Sequence, residues 1–318
     1  MTITDSHTAP LVAIVGITGK QGGSVARALI DSDKSYRIRG LTRDANKPAS
    51  RAFTDLGVQV VEVSLIVGNE DAVRKAFSGA KIVFAVTNFN EHFNKEREIA
   101  EGKLMVDAAV SAGVSLFIWS ALESISAMSS GRITGVAPFD SKAAVTAYAR
   151  DSGIPLAIVQ AGYYGDNVLL GYPLQPQADG SLLYSLPMPG STRVPFIDVE
   201  ADYGLYVRVA IESSALGAGS EVLSGHLMSV DELIAGLAEF TGKKIIYSQN
   251  TREEFLKMFP YKDMAPAIAD LYQAYEEIGY YGPKEPTSED ILARKPKTWR
   301  EFLEAAPRES FPVGLRPA

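Results

Sequence analysis

The chain has 318 residues, of which 46% are hydrophobic, so it is long enough to bury a large core as one α/β domain with an appended lobe. Its 31 Lys and Arg residues are outnumbered by 38 Asp and Glu residues, and the formal net charge of −7 disfavours direct binding to nucleic acid or anionic lipid. The sequence contains no cysteine, which excludes disulfides, thiol catalysis and Cys-ligated metals and fits a reducing compartment.

The first ten residues, MTITDSHTAP, have neither the basic start nor the apolar stretch of a secretory signal. No later apolar run approaches the roughly 20 residues that a membrane-spanning helix needs. We therefore expect the protein to be cytoplasmic, with the nucleus as an alternative, and to have no membrane partner. We expect residues 1–10 to form a flexible N-terminus.

Residues 11–160 alternate short β-branched runs with segments of helical periodicity. The six predicted strands read LVAIVG, YRIRGLTR, VQVVEVS, KIVFAVT, VSLFIWS and IPLAIVQ. The predicted crossover helices span residues 22–31, 47–56, 69–77 and 94–112. This alternation is typical of the α/β class and predicts a Rossmann-type, doubly wound parallel sheet.

The composition changes after Gln160, where Pro, Gly and Ser become frequent. The stretch GYPLQPQADGSLLYSLPMPGSTRVPF predicts loops and short strands that cover the carboxyl edge of the sheet. Helices are expected over residues 229–241, 251–259 and 266–279, and from Thr298. We assign residues 161–318 mainly to a smaller C-terminal α+β lobe, with residues 192–225 returning to the first domain.

Three glycines spaced three apart, Gly16, Gly19 and Gly22, stand between the first strand and the first helix. In a dinucleotide-binding turn they would make the tight turn, let the backbone approach the pyrophosphate, and let helix and strand pack closely. An ordinary strand-to-helix turn is the alternative. The position of the glycines favours the dinucleotide site.

The end of the second strand, GLTRDANK, carries the residues that distinguish the two nicotinamide cofactors. An acidic residue there would hold a free ribose 2′-hydroxyl, whereas an arginine accommodates a 2′-phosphate. Arg43 stands at this position, and we expect Lys47 and Lys20 to converge on the same phosphate. Asp44, the next residue, could instead accept a hydrogen bond from a free ribose 2′-hydroxyl, which leaves NAD(H) as the alternative. We predict NADP(H) rather than NAD(H).

Several separated motifs carry a family resemblance: GITGKQGGSVARAL, TRDANK, VTNF, EGKLMVDAA, FDSKAAV and GYYGDNVLL. Their order and spacing over roughly residues 11–260 resemble the NmrA-like family, atypical members of the extended short-chain dehydrogenase/reductase superfamily. The resemblance implies a Rossmann domain that binds NADP(H) and a smaller C-terminal lobe. It also implies a choice between true reductases and redox sensors that bind the cofactor without turning it over.

The resemblance further implies four groups of cofactor contacts. They are phosphate contacts at Gly16, Ile17, Thr18, Gly19, Lys20, Gln21 and Gly22; 2′-phosphate contacts at Arg43, Asp44 and Lys47; adenine contacts at Ser64 and Leu65; and nicotinamide-side contacts at Thr87, Asn88, Phe89, Tyr164, Gly165, Asp166 and Asn167. Many relatives have Asp where Ser64 stands, so the chain departs from the family there. Helix capping by Asn88 and plain turn chemistry over residues 164–167 are the alternatives.

Typical short-chain dehydrogenases place a proton-donating Tyr four residues before a Lys. Here the lysine is Lys142, but the residue four earlier is Pro138, which has no proton to give. We predict that Lys142 binds the nicotinamide ribose and aids catalysis. Ser120, at the end of the fifth strand, and Tyr164, beside Tyr163, are the candidate substitutes. A serine without a base is a hydrogen-bond donor rather than an acid.

The three histidines, His7, His92 and His226, show no ligand spacing, so we predict no metal site. We expect His92 to be a solvated loop residue rather than part of a cleft. The aromatic stretch over residues 255–282 suits a hydrophobic pocket wall, a partner groove or plain helical core, and the core is favoured.

Two functions follow from these observations. The first is an NADP(H)-dependent oxidoreductase that moves a hydride to or from an unidentified small organic substrate. The alternative is an inactive NADP(H)-sensing regulator that controls a protein partner. A homodimer fits both, whereas the negative charge argues against a repressor that binds DNA directly.

Overall fold

The computed structural model describes residues 3–4, 6–170 and 174–316. The strands in these ranges are β1 (Leu11–Val15), β2 (Arg37–Thr42), β3 (Gln59–Glu62), β4 (Ile82–Ala85), β5 (Leu116–Ala121), β6 (Leu156–Gln160), β7 (Tyr163–Tyr164), β8 (Leu174–Pro176), β9 (Leu182–Leu186), β10 (Arg193–Ile197), β11 (Glu221–Leu223), β12 (His226–Ser229) and β13 (Ile245–Gln249). The α-helices are α1 (Lys20–Ile30), α2 (Pro48–Asp55), α3 (Glu70–Phe77), α4 (Lys95–Ser111), α5 (Ile125–Met128), α6 (Ala137–Asp151), α7 (Val199–Glu212), α8 (Val230–Thr241), α9 (Arg252–Met258), α10 (Ala265–Glu277) and α11 (Trp299–Ala305).

Seven parallel strands form the central sheet in the order β11-β6-β5-β4-β1-β2-β3. The chain therefore runs outward from β1 to β3 and then crosses to β4 on the other side of β1. Ligands of such sheets bind outside the carboxyl ends of the strands at this reversal. The order confirms the predicted Rossmann-type fold.

Local sequence explains where the elements begin. All five residues of β1 are buried, as expected for a central parallel strand covered on both faces. Pro48 opens α2, where its missing N–H costs no helical hydrogen bond. Ser229, Thr251 and Thr298 each form a capping box with the Glu three residues later, which fixes the starts of α8, α9 and α11.

Helices α1 and α7 lie against each other on one face of the sheet. A Cβ at Gly204 would lie 2.1 Å from the carbonyl oxygen of Ser24, so only glycine permits this approach. The Gly204 N–H donates to Ser24 Oγ at 2.9 Å. Since α1 begins at the turn after β1, this contact fixes the orientation of that turn.

The C-terminal lobe contains two three-stranded sheets, β12-β10-β7 and β13-β9-β8, around a separate hydrophobic core. Six of the seven aromatic residues over 255–282 belong to that core and are buried: Phe255, Phe259, Tyr272, Tyr275, Tyr280 and Tyr281, whereas Tyr261 is exposed. Their rings contact one another, as in the stacked pair Tyr275 and Tyr280 at 4.9 Å. These residues therefore form the helical core that the sequence analysis favoured.

Late segments of the chain pack against α7 and the central sheet. Arg294 pairs with the fully buried carboxylate of Asp202 on α7 at 2.7 Å. The Lys297 ammonium pairs with Asp198, the N-cap of α7, at 2.9 Å. Strand β11 likewise joins the central sheet beside β6. The central sheet and α7 thus depend on residues from the C-terminal part of the chain.

At the other end of the chain, Ile3 bridges to Tyr36, and the Thr4 N–H donates to the Tyr36 carbonyl at 3.1 Å. Residues 1, 2 and 5 of the expected flexible N-terminus lie outside the described residues, as do 171–173 in the Pro-rich stretch and 317–318. The division of the chain into domains stays a prediction.

Candidate functional site

The glycine turn joins β1 to α1 at the sheet edge where a ligand is expected. Gly16 has a φ of +65°, a conformation that favours glycine. A Cβ at Gly22 would lie 2.3 Å from the Gly16 carbonyl oxygen, so a side chain there would push the helix away from the strand. The Gly19 N–H donates to the Gly16 carbonyl at 2.8 Å and closes the turn.

The N-terminus of α1 offers backbone N–H groups to an anion. Gly19 is its N-cap and has no side-chain capping bond, and the first N–H groups of a helix have no intrahelical partners. The helix has 11 residues, and its dipole also favours negative charge at this end. Thr18 is exposed beside it, whereas the Ile17 side chain is fully buried, so only the Ile17 backbone can face a ligand.

A short chain of hydrogen bonds begins at the first turn of α1. Gln21 accepts a bond from Ser120 Oγ through Oε1 and donates to the Tyr164 hydroxyl through Nε2, both at 2.7 Å. Ser120 is buried at the end of β5, and Tyr164 ends β7. Burial raises the pKa of Tyr164 to about 12, and the bond from Gln21 opposes that rise. Three predicted residues from distant parts of the sequence are thus brought together.

A second polar cluster lies around Glu98 of α4, whose side chain is fully buried. Its carboxylate accepts hydrogen bonds from Thr87 Oγ1 at 2.6 Å, from Ser141 Oγ and from Lys142 Nζ. Burial lowers the pKa of Lys142, and the Glu98 charge opposes that shift. Lys142 is therefore a buried, paired ammonium, while Pro138 occupies the first turn of the same helix, α6.

Two of the three cations expected at one phosphate are paired with carboxylates from different segments. Lys20 pairs with Asp166 at 2.7 Å, and Arg43 pairs with Glu91 at 2.6 Å. The third cation, Lys47, is the exposed N-cap of α2. Lys20 is thus held against the segment after β7, 146 positions further along the chain, rather than toward the end of β2.

The neighbouring predicted residues are held mainly by local contacts. Asp44 Oδ1 accepts the Asn46 N–H at 2.9 Å, so that carboxylate stabilises its own turn. Asn88, which is exposed, donates to Glu91 Oε1 at 2.9 Å. The Ser64 carbonyl accepts from Asn69 Nδ2 at 2.7 Å, and Leu65 packs against the core.

A five-residue 3₁₀ segment over residues 165–169 follows Tyr164 at the end of β7. A Cβ at Gly165 would lie 2.7 Å from the Phe196 ring, so the segment is packed closely against the lobe. Asp166 points to Lys20, and Asn167 is half-buried. The half-buried ring of Phe89 contacts those of His92 and Phe93 edge-on.

The interpretation of His92 as a solvated residue is wrong. Its side chain is 6% exposed because the loop folds it against α4, where Nε2 lies 3.5 Å from Glu101 Oε2. Nδ1 accepts the Asn94 N–H at 3.0 Å.

Over the described ranges, no group of three or more His, Cys, Asp or Glu residues could hold a metal ion. No described helix is long and apolar enough to cross a bilayer.

Sequence reasoning missed Glu98 and Glu91. Glu98 stands in the charged run KEREIAEGK at the start of α4, where acidic residues are expected to face solvent and favour the helix dipole. Glu91 follows the strand end in a three-residue 3₁₀ turn that no periodicity announces. Neither residue could have been assigned without its long-range partners.

Comparison with known proteins agrees with this architecture. The model of the NmrA-like family matches residues 8–303. The NmrA-like family domain-containing oxidoreductase FrzB of Cladobotryum sp is 30% identical over 314 residues, which cover 91% of this chain and 90% of that protein.

Two solved structures share the fold at low sequence identity. NmrA, a negative transcriptional regulator solved in complex with NAD, superposes with a TM-score of 0.75 at 20% identity, covering 93% of this chain and 95% of its own. The NADPH-dependent quinone oxidoreductase QOR2 of Escherichia coli, solved with NADPH, gives a TM-score of 0.75 at 19% identity, covering 92% and 98%. NmrA has also been solved with NADP.

Proposed function

The chain belongs to the NmrA-like family, and on that premise we propose that it is a nicotinamide-dependent oxidoreductase that uses NADP(H). It transfers a hydride between the cofactor and a small organic substrate. The observation that carries this proposal is the chain of hydrogen bonds linking Gln21 of the glycine turn to Ser120 and Tyr164, since it joins an anion-binding turn to a proton donor. The relatives' names as NmrA-like oxidoreductases support the same reaction class.

The residues at the sheet edge fit a dinucleotide. The close approach of Gly22 to the strand and the uncapped N-terminus of α1 suit a pyrophosphate, which would accept N–H bonds there. Arg43 suits a 2′-phosphate, as a positively charged residue after β2. The Lys142 ammonium suits the hydroxyls of the nicotinamide ribose. A bound nicotinamide would supply a hydride to the substrate or accept one from it.

Tyr164 is the proton donor that best fits the geometry. Because Gln21 Nε2 donates to the Tyr164 oxygen, the hydroxyl hydrogen remains available to a substrate, and the amide stabilises the charge left when the proton departs. Reduction of a polarised double bond takes a hydride at carbon and this proton at the neighbouring atom. The buried hydroxyl keeps its proton at neutral pH, since burial raises its pKa to about 12.

One observation favours a second candidate, a cofactor-sensing regulator. Pro138 stands four residues before Lys142, so the residue that most often supplies the proton in this superfamily is replaced. In that role the segment over residues 165–169, tied to α1 by the Lys20 and Asp166 pair, would change its contacts when a dinucleotide binds. A regulatory protein partner would then bind differently, or the chain would change its homodimer contacts. The cytoplasm is the location we propose for either role.

An isotope-transfer experiment separates the two candidates. The purified protein is incubated with NADPH that carries deuterium at one or the other C4 position and with a metabolite extract of its host. Mass spectrometry then detects any product that gains deuterium only when the protein is present. A labelled product identifies an oxidoreductase and its substrate together. Calorimetric binding of NADPH without label transfer would instead favour the regulator.

Gly19→Asp is the matched control for that experiment. The Gly19 backbone lies in an extended conformation with negative φ, and Asp is a good helix N-cap, so the variant is expected to fold. Its carboxylate would repel the pyrophosphate at the helix N-terminus. Label transfer that persists in Gly19→Asp would contradict the assignment of this turn as the cofactor site.

A further inference from the structure

The guanidinium expected to bind a 2′-phosphate already holds a carboxylate. Arg43 donates to Glu91 Oε2 from one terminal nitrogen at 2.6 Å, a short charge-assisted hydrogen bond. Arg43 follows β2 and Glu91 follows β4, and these two strands flank β1 on either side. The ion pair therefore spans the carboxyl edge beside the glycine turn, where a dinucleotide would cross the sheet.

Glu91 is held in place by both of its oxygens. Oε2 accepts from Arg43, and Oε1 accepts from Asn88 Nδ2 at 2.9 Å. The backbone closes a short turn at the same point, because the Glu91 N–H donates to the Asn88 carbonyl at 3.2 Å. The carboxylate is thus directed at Arg43 by its own segment. The side chains of Glu91 and Arg43 are 37% and 63% exposed, which leaves both accessible to a ligand.

The acidic residue nearest in sequence to Arg43 does not take this role. Asp44 uses its carboxylate to accept the Asn46 N–H within its own turn. In many NAD-binding sheets an acidic residue at the end of the second strand accepts a hydrogen bond from the ribose 2′-hydroxyl. Here the carboxylate beside Arg43 comes instead from the segment after β4.

The two cofactors differ at the atom that this pair would contact. A phosphate group carries a charge of about −2 and would share one guanidinium with a carboxylate of like charge. A free hydroxyl is neutral and can donate to the same carboxylate. Resting on the proposed function, we infer that Glu91 limits the preference for NADP(H) over NAD(H): it competes with the 2′-phosphate of NADP(H) for Arg43 and accepts from the 2′-hydroxyl of NAD(H).

Glu91→Gln tests this inference because it removes the negative charge and keeps the size and the acceptor oxygen of the side chain. The dissociation constants of NADPH and NADH are measured by calorimetry at low salt for the full chain and its variants. We expect the Kd of NADPH to fall by about two- to fivefold, the range for loss of one exposed charge interaction, with that of NADH unchanged or higher. The preference for NADPH over NADH rises accordingly.

Glu253→Gln is the matched control, since it also removes one exposed carboxylate, from an ion pair with Lys257 on α9. It should leave both dissociation constants unchanged. The inference is overturned if Glu91→Gln weakens NADPH binding, if it changes both cofactors by the same factor, or if Glu253→Gln reproduces its effect. If neither dinucleotide binds the wild-type protein, the proposed function itself fails and the inference with it.

Discussion

Lys142 Nζ donates a hydrogen bond to the carboxylate of Glu98, which is fully buried and also bound by Thr87 and Ser141. The pair connects α6 to α4 and, through Thr87, to the segment after β4. A buried lysine without a counter-charge would lose its proton more readily than an exposed one. Glu98 therefore fixes both the position and the charge of the ammonium.

Glu98→Gln should lower the free energy of unfolding by about 3–5 kcal/mol, because it leaves a buried ammonium without its partner. Burial already lowers the pKa of Lys142, and loss of Glu98 removes the negative charge that opposes this shift. If Lys142 binds the cofactor as an ammonium, NADPH affinity in the variant should fall as the pH rises through the lowered lysine pKa. Calorimetry over a pH series measures this. Glu96→Gln, an exposed neighbour, should match the wild type.

Tyr164→Phe should lower turnover by about 10²- to 10⁴-fold, as expected for loss of a general acid, and leave NADPH affinity nearly unchanged. The wild-type rate should not decline through loss of this proton until the pH approaches about 12. The comparison is Tyr148→Phe, which removes a hydroxyl bound to Asp107 away from the site. Equal turnover in the two variants would exclude Tyr164 as the donor.

Gly22→Ala and Gly19→Ala should separate packing from binding. The first places a Cβ 2.3 Å from a carbonyl oxygen and should destabilise the protein by about 1–3 kcal/mol or more. At Gly19 the nearest atom is 3.2 Å away, so the protein should fold while NADPH affinity falls. Thermal melts and calorimetry on both variants provide the test. A full-affinity Gly19→Ala would argue against close approach of a pyrophosphate.

His226 should make the protein less stable in mild acid. Burial against the Phe196 ring lowers its pKa, although Glu289 and Asp202 oppose that shift. As the pH falls below about 6.5, the unfolded chain takes up this proton before the folded one does, so the free energy of unfolding falls. His226→Gln should lose part of this acid sensitivity in denaturant melts. If the free energy of unfolding of His226→Gln falls with pH as steeply as that of the wild type, His226 is not the source of the acid sensitivity.

The sequence predicted the features that depend on neighbouring residues. The glycine spacing identified the turn, and alternating apolar runs identified all six strands of the first half of the chain. The seventh strand, β11, has only three residues and pairs with β6 some 60 positions earlier, so its place in the sheet carries no local signal. The helix limits shift by one or two residues because caps determine them.

The contacts of charged side chains were not predictable in the same way. Lys20 was expected at a phosphate and instead pairs with Asp166, because the segment after β7 folds back over the start of α1. Glu98 meets Lys142 across 44 positions, and although the motif identified Lys142, Glu98 looks like an ordinary surface residue in the sequence. Such pairs depend on which helices the topology places side by side.

The return of the chain end to α7 has a consequence for synthesis on the ribosome. Asp202 lacks its cation until Arg294 has emerged, and the sheet lacks its edge strand until residues 221–223 have been made. The central sheet and α7 therefore cannot reach their final stability before these later residues have been synthesised. A nascent chain halted before residue 294 should be more sensitive to proteases than the released protein, even though its glycine turn is complete.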